Sequence, residues 1–185
     1  MNKKNKIHTM TLSAMFLALA YILPFFTGQI PQIGNMLCPM HIPILLCGFI
    51  CGGNWGLLAG VLAPLLRSAT LGMPVMFPAA LCMSFELAAY GLTAGYLFQK
   101  LPKKKSSIYI ALVTAMVAGR IVWGIMMFLC MGMTGGTFGM SAFVAGAVTN
   151  AVPGILLQLV VIPITIIYLT GRNNEIETGY VIEKR

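Results

Sequence analysis

Between Ile7 and Gln99 the chain carries two charged side chains, Arg67 and Glu86, and between Ser106 and Gly171 it carries one, Arg120. All other charges are confined to the first residues (Lys3, Lys4, Lys6), to the segment Lys100–Lys105 and to the tail from Arg172. Apolar runs of this length exclude a water-soluble globular fold. A spanning helix needs about 20 apolar residues, and a soluble domain is about a quarter charged. Here 9% of 185 residues are charged and 58% are hydrophobic, with a mean hydropathy of +0.88. The fold class is an all-α integral membrane protein, and the chain is too short for more than one bundle.

The net charge of +8 does not point to nucleic acid. The basic residues sit in short segments between apolar runs, which is the pattern of cytoplasmic loops and tails. The start, MNKKNKIH before an apolar run, imitates a secretion signal. Its one small-x-small triplet, Ala18-Leu19-Ala20, lies inside the run rather than after it, so an uncleaved first helix is expected.

Six helices are predicted. The first covers about Met10 to Phe26 and is followed by the Gly/Pro-rich loop 27–38. The second and third, about Pro39–Gly52 and Trp55–Thr70, are separated by a turn at Gly52-Gly53-Asn54. The uncharged segment Leu71–Phe77 leads into a fourth, about Pro78–Phe98, and the basic loop into a fifth, about Ile108–Met131. The sixth, about Ser141–Leu169, carries Pro153 and Pro163 and is expected to kink.

Read as one helix, Met36–Thr70 would be about 52 Å long, too long for a single passage of a hydrocarbon core of about 30 Å. Two crossings also place all the lysine-rich segments on one side, as the positive-inside distribution requires. The expected topology is a compact six-helix transmembrane bundle over residues 1–170. Both termini are cytoplasmic, residues 171–185 form a polar tail, and the loops 27–38, 71–77 and 132–140 face outside.

That topology sets the depth of the polar residues. Arg67 falls near the outer end of the third helix. Glu86 lies roughly 12 Å into the fourth, Arg120 near the midplane of the fifth, Asn150 in the outer half of the sixth, and His41 at the outer start of the second. A charge at membrane depth costs about 2.5–3.5 kcal/mol on insertion scales and therefore faces a partner, a cavity or a ligand. Each residue also has a plainer reading. Glu86 and Arg120 can be a structural ion pair, Arg67 can snorkel, Asn150 can be interhelical glue and His41 can cap its helix. Trp123 is a candidate ligand stack or a packing residue.

Several chemistries have no support. Walker A, HExxH and GxSxG motifs and acidic clusters are absent, so the chain is not expected to be an enzyme. The five cysteines (Cys38, Cys47, Cys51, Cys82 and Cys130) form no CxxC, and no metal or other cofactor is expected. No doubled halves of the kind usual in secondary transporters are evident.

The chain resembles the substrate-binding S components of energy-coupling factor (ECF) vitamin transporters. The likeness spans roughly residues 10–170. It rests on chain length, six helices, the placement of positive charge, CPMHIPILLCGFICGGNWGLLAG across the second and third helices, and GMPVMFPAALCMSFELAAYGLTAGYLF entering the fourth. Ala14 and Ala18 match the family's Ala-x-x-x-Ala motif. The resemblance implies that these alanines dock a membrane T component, and that two cytoplasmic ATPases complete the transporter. It also implies that a vitamin or precursor is bound from outside, beneath the first, third and fifth loops, in a bacterial cell membrane.

The expected site is Arg120, Glu86, Arg67, Asn150, His41 and Trp123. Two arginines against one acid lean towards an anionic substrate such as a pantothenate-, folate- or flavin-like compound. The alternative is a solitary ion- or proton-coupled carrier in which Glu86 titrates.

Overall fold

The computed structural model describes residues 3–27, 38–102, 104–135, 139, 143, 145–146 and 151–173. These form six α-helices and, among the described residues, no strand: α1 (Lys3–Ile22), α2 (His41–Cys51), α3 (Gly53–Leu71), α4 (Leu81–Lys100), α5 (Lys105–Met133) and α6 (Val152–Asn173). A 3₁₀ turn, Leu23–Thr27, closes α1, and a single π turn, Met76–Ala80, opens α4.

The helix breaks follow from local chemistry. Gly52 separates α2 from α3 at φ 95°, a conformation that disfavours any side chain. The break is this one residue, since Gly53 already begins α3, and not the three-residue turn expected. Gly72 ends α3 at φ 69°, its N–H donating to Ser68 O at 2.9 Å, the usual left-handed C-cap. Before α4, the Ala80 N–H donates to Val75 O at 2.9 Å, closing the π turn. Pro153 falls in the first turn of α6, where no intrahelical donor is needed. Pro163 lies inside a helix that continues to Asn173. The expected start of this helix at Ser141 lies mostly outside the described residues.

Packing runs opposite to that of a soluble protein. On α3 most of the buried residues are small (Gly53, Gly56, Ala59, Gly60, Ala63), Arg67 being the large exception, while Leu58, Leu62 and Leu66 face outward. On α5, Ala111, Ala115 and Gly119 are buried, while Val113, Val117, Ile121, Ile125 and Phe128 are exposed. In lipid, outward apolar side chains cost nothing, and inward small ones let backbones meet. Methyl groups added at Gly56, Gly60, Gly91 or Gly95 would run into the facing backbone of α2, α3 or α4, so these three helices form one close-packed unit. Helix α1 packs on α2 and α3, α5 on α4, and α6 on α2 and α5.

Among the described residues, four helical spans are long and apolar enough to cross a membrane: Lys6–Phe26, Met76–Lys100, Lys105–Met133 and Val152–Leu169. Helix α2 has 11 residues and is only about 16 Å long. Helix α3 has 19 residues, or about 28 Å, but its glycines and Arg67 dilute its hydropathy.

Candidate functional site

Three of the expected residues converge. His41 is the first residue of α2, Glu86 sits in the second turn of α4 and Arg120 lies in the middle of α5. Arg120 Nη1 donates to Glu86 Oε1 at 2.9 Å, and His41 Nε2 approaches the same oxygen at 3.4 Å. Both His41 and Glu86 are 2% exposed. An unpaired carboxylate at that burial would be prohibitively costly; here one cation and one imidazole from two other helices meet it. The node ties α2, α4 and α5 together.

Two further residues complete it. Tyr90, four residues after Glu86 on the same face of α4, meets the His41 ring edge-on with centroids 5.2 Å apart. Cys38, just before α2, receives Arg120 Nη2 at its Sγ, 3.6 Å away. Burial raises the Cys38 thiol above its ordinary range, so it meets the guanidinium as a neutral sulfur. The i, i+4 spacing from Glu86 was a sequence signal for Tyr90. The sequence carried no comparable signal for Cys38.

Hydrogen-bonding capacity is left over. Among the described residues, His41 Nδ1, Arg120 Nε and, on α6, Gln158 Oε1 are buried with no partner. Buried polar atoms are nearly always satisfied, so these three atoms are exceptions among the described residues. In the neutral tautomer whose Nε2–H points at Glu86, His41 Nδ1 would be an acceptor, whereas Arg120 Nε–H is a donor. A guest group bearing both a donor and an acceptor would complement the node.

Arg67 and Trp123 make other contacts. Arg67 is 4% exposed, but its Nη1 donates to Tyr21 O at 2.9 Å and its guanidinium lies over the Phe25 ring, 5.0 Å from the centroid. It fastens α3 to the end of α1 and, among the described residues, forms no ion pair or hydrogen bond with Glu86 or Arg120. Trp123 stacks on Phe143 with centroids 6.3 Å apart. Asn150 and most of the loops 27–38 and 132–140 lie outside the described residues. The charge balance therefore differs from the expectation. Within the node one arginine faces one carboxylate, and the second cation that favoured an anion is engaged elsewhere.

Ala14 and Ala18 are exposed on α1. Ala14 lines an apolar cleft of about 190 Å³ between α1 and α3, together with Leu17, Trp55, Leu58 and Leu62. Among the described residues no group of three or more metal-ligating side chains occurs.

Residues 8–166 match the family model of the ECF transporter substrate-specific component. The chain belongs to that family. It is a membrane-embedded, multi-pass transport subunit, with no catalytic role of its own. Membership implies a small-molecule substrate and association of this S component with T and ATPase components. No curated protein and no solved structure matches the chain.

Proposed function

We propose that this S component captures a vitamin or vitamin precursor at the His41–Glu86–Arg120 node and delivers it into a bacterial cell. A T component and two cytoplasmic ATPases would drive the release. The observation that carries this reading is a buried three-helix polar node in which His41 Nδ1 and Arg120 Nε have no hydrogen-bond partner among the described residues, inside a chain of this family. Polar and ionisable groups at membrane depth often mark substrate positions or pathways.

The node's own cation and anion offset each other, so hydrogen bonding rather than net charge selects the guest. We favour a ligand whose polar group is amide-like, offering an acceptor to Arg120 Nε and a donor to His41 Nδ1. Asn150 and Trp123 remain candidates for its margins. The arrangement proposed in the membrane is six crossings over residues 1–170, with both termini and the 171–185 tail cytoplasmic. The antiparallel α2–α3 pair joined at Gly52 then counts as two passages.

The test is mass spectrometry of the small molecule that co-purifies with the protein, followed by its uptake into cells with and without the ATPase subunits. Uptake should need them. Uptake that persists without them establishes the solitary carrier instead.

A further inference from the structure

Cys82 and Cys130 are 48 positions apart in sequence, yet their sulfur atoms lie 3.7 Å apart. Cys82 is in the first turn of α4 and Cys130 in the last turn of α5. Both are free thiols, with exposures of 0% and 3%. Among the described residues each thiol's side-chain hydrogen-bond partner is the other, and neither shares an ion pair or hydrogen bond with the polar node. The node does not need them. Their position is nonetheless specific: Cys82 precedes Glu86 by one helical turn on the same face, and Cys130 lies on the helix that carries Arg120.

We propose that Cys82 and Cys130 are a redox pair that closes to a disulfide and clamps α4 to α5 beside the Glu86–Arg120 contact. A disulfide needs sulfurs about 2.05 Å apart, so they must close by roughly 1.7 Å, within reach of a side-chain rotation and a small helix shift. The oxidant is a low-molecular-weight disulfide. One thiolate attacks it and forms a mixed disulfide, releasing one small thiol. The second cysteine thiolate then displaces the other small thiol. One S–S bond forms for the one consumed, and the two cysteine protons end on the two thiols released.

Cys130, the less buried of the two, is the entry point. Burial disfavours the thiolate, so closure awaits transient parting of the α4–α5 end, and the bond once made is shielded from reduction. In the proposed topology this end faces outside, where disulfides persist. That compartment argument rests on the topology proposed above; the thiol geometry does not. The Cys47/Cys51 pair differs in kind, because it lies within one turn of α2 and could join no two elements.

The lysines between α4 and α5 make the test direct. The full-length protein, purified in detergent under reduction, is incubated with oxidised glutathione and blocked with N-ethylmaleimide. It is then cut with trypsin in the Lys100–Lys105 segment and run on a non-reducing gel. The two halves should migrate together after oxidation and separate with dithiothreitol. The joined band should survive Cys38→Ser, Cys47→Ser and Cys51→Ser, and vanish in Cys82→Ser and in Cys130→Ser.

Mass spectrometry of the parent should show a loss of two hydrogens in the intact chain and, after digestion, a Cys82–Cys130 linked peptide, which keeps the test valid if either serine variant misfolds. The oxidised parent should melt about 5–10 °C higher than the reduced form. Separate halves after oxidation, a glutathione adduct without a joined band, or a joined band in either serine variant overturns the proposal. None of these readouts depends on ligand binding, so failure of the proposed substrate site would leave them unchanged.

Discussion

Arg120 Nη1 and Glu86 Oε1 are 2.9 Å apart and join α5 to α4 at a point where Glu86 is only 2% exposed. A pair so placed has two roles that respond differently to mutation. As a structural contact it depends on both partners, and removing one strands the other at a cost of about 3–5 kcal/mol. As a binding element it offers the Arg120 Nε–H, which has no partner among the described residues.

Arg120→Gln and Glu86→Gln are therefore each expected to lower the detergent melting temperature, and the double variant to recover much of it. Binding should not recover. Losing a charge-assisted contact to ligand costs about 1.5–3 kcal/mol, or roughly 10- to 150-fold in affinity. Calorimetry with the co-purifying ligand on all three variants checks this. Parent-like affinity in the double variant would show that the pair only holds the helices.

Arg67 should behave in the opposite way. Its guanidinium donates to Tyr21 O at 2.9 Å and covers the Phe25 ring. A charge-assisted hydrogen bond and a cation–π contact together are worth about 2–4 kcal/mol. Arg67→Gln should lower thermal stability while leaving ligand affinity within about threefold of the parent. Arg67→Lys keeps the charge but loses the planar fork, so it should recover part of the stability. A large affinity loss at unchanged melting temperature would return Arg67 to the binding site.

The glycine packing makes a prediction of its own. A methyl at position 91 has no room against the Gly56 backbone, whereas one at position 132 meets nothing within 4 Å. Gly91→Ala should destabilise by about 1–3 kcal/mol or more through overpacking. Gly132→Ala, at an exposed position near the end of α5, should be neutral or stabilising by up to about 1 kcal/mol through helix propensity. Thermal melting of the two variants side by side distinguishes a backbone-contact interface from ordinary side-chain packing. Equal effects would refute the close approach.

The helices were legible because the apolar runs are long and their breaks are marked by glycine, proline or lysine. The Glu86–Arg120 pairing was legible for a related reason: a lone acid at membrane depth has to find a cation. Grouping Arg67 with them was a different inference, drawn from depth alone. Depth does not say towards which neighbour a side chain points, and Arg67 turns to α1. The Cys82–Cys130 contact was illegible because it depends on the register between two antiparallel helices, which no local pattern encodes. The brevity of α2 was legible: a helix over about Pro39–Gly52 was expected, and α2 runs His41–Cys51.

Docking of the partner subunits is proposed to use the small-residue face of α1. Ala14 and Ala18 are exposed there, and Ala14 opens onto the cleft beside Leu58 and Leu62. A flat face of this kind permits close helix approach. Ala14→Leu or Ala18→Leu should abolish assembly with the T and ATPase components, and uptake with it. Ligand affinity of the isolated chain should stay within about threefold. Loss of affinity with intact assembly would assign this face to the binding fold instead.

Orientation is the remaining proposal, and the ends of α5 test it. Ser106 lies in its first turn beside the lysine segment, and Thr134 immediately follows its last residue; both are exposed. Helix α5 has 29 residues, or about 43 Å, enough to carry its two ends to opposite faces of a core of about 30 Å. The lysines beside Ser106 place that end in the cytoplasm by the positive-inside distribution. In a background with all five native cysteines replaced by serine or alanine, Thr134→Cys should react with a membrane-impermeant maleimide on intact cells. Ser106→Cys should react only after permeabilisation. The reverse pattern would invert the bundle, moving the Arg67 and Cys130 end to the cytoplasm and removing the proposed external access to the node. Labelling of both positions in intact cells would mean that α5 does not cross, and the six-passage reading would fail with it.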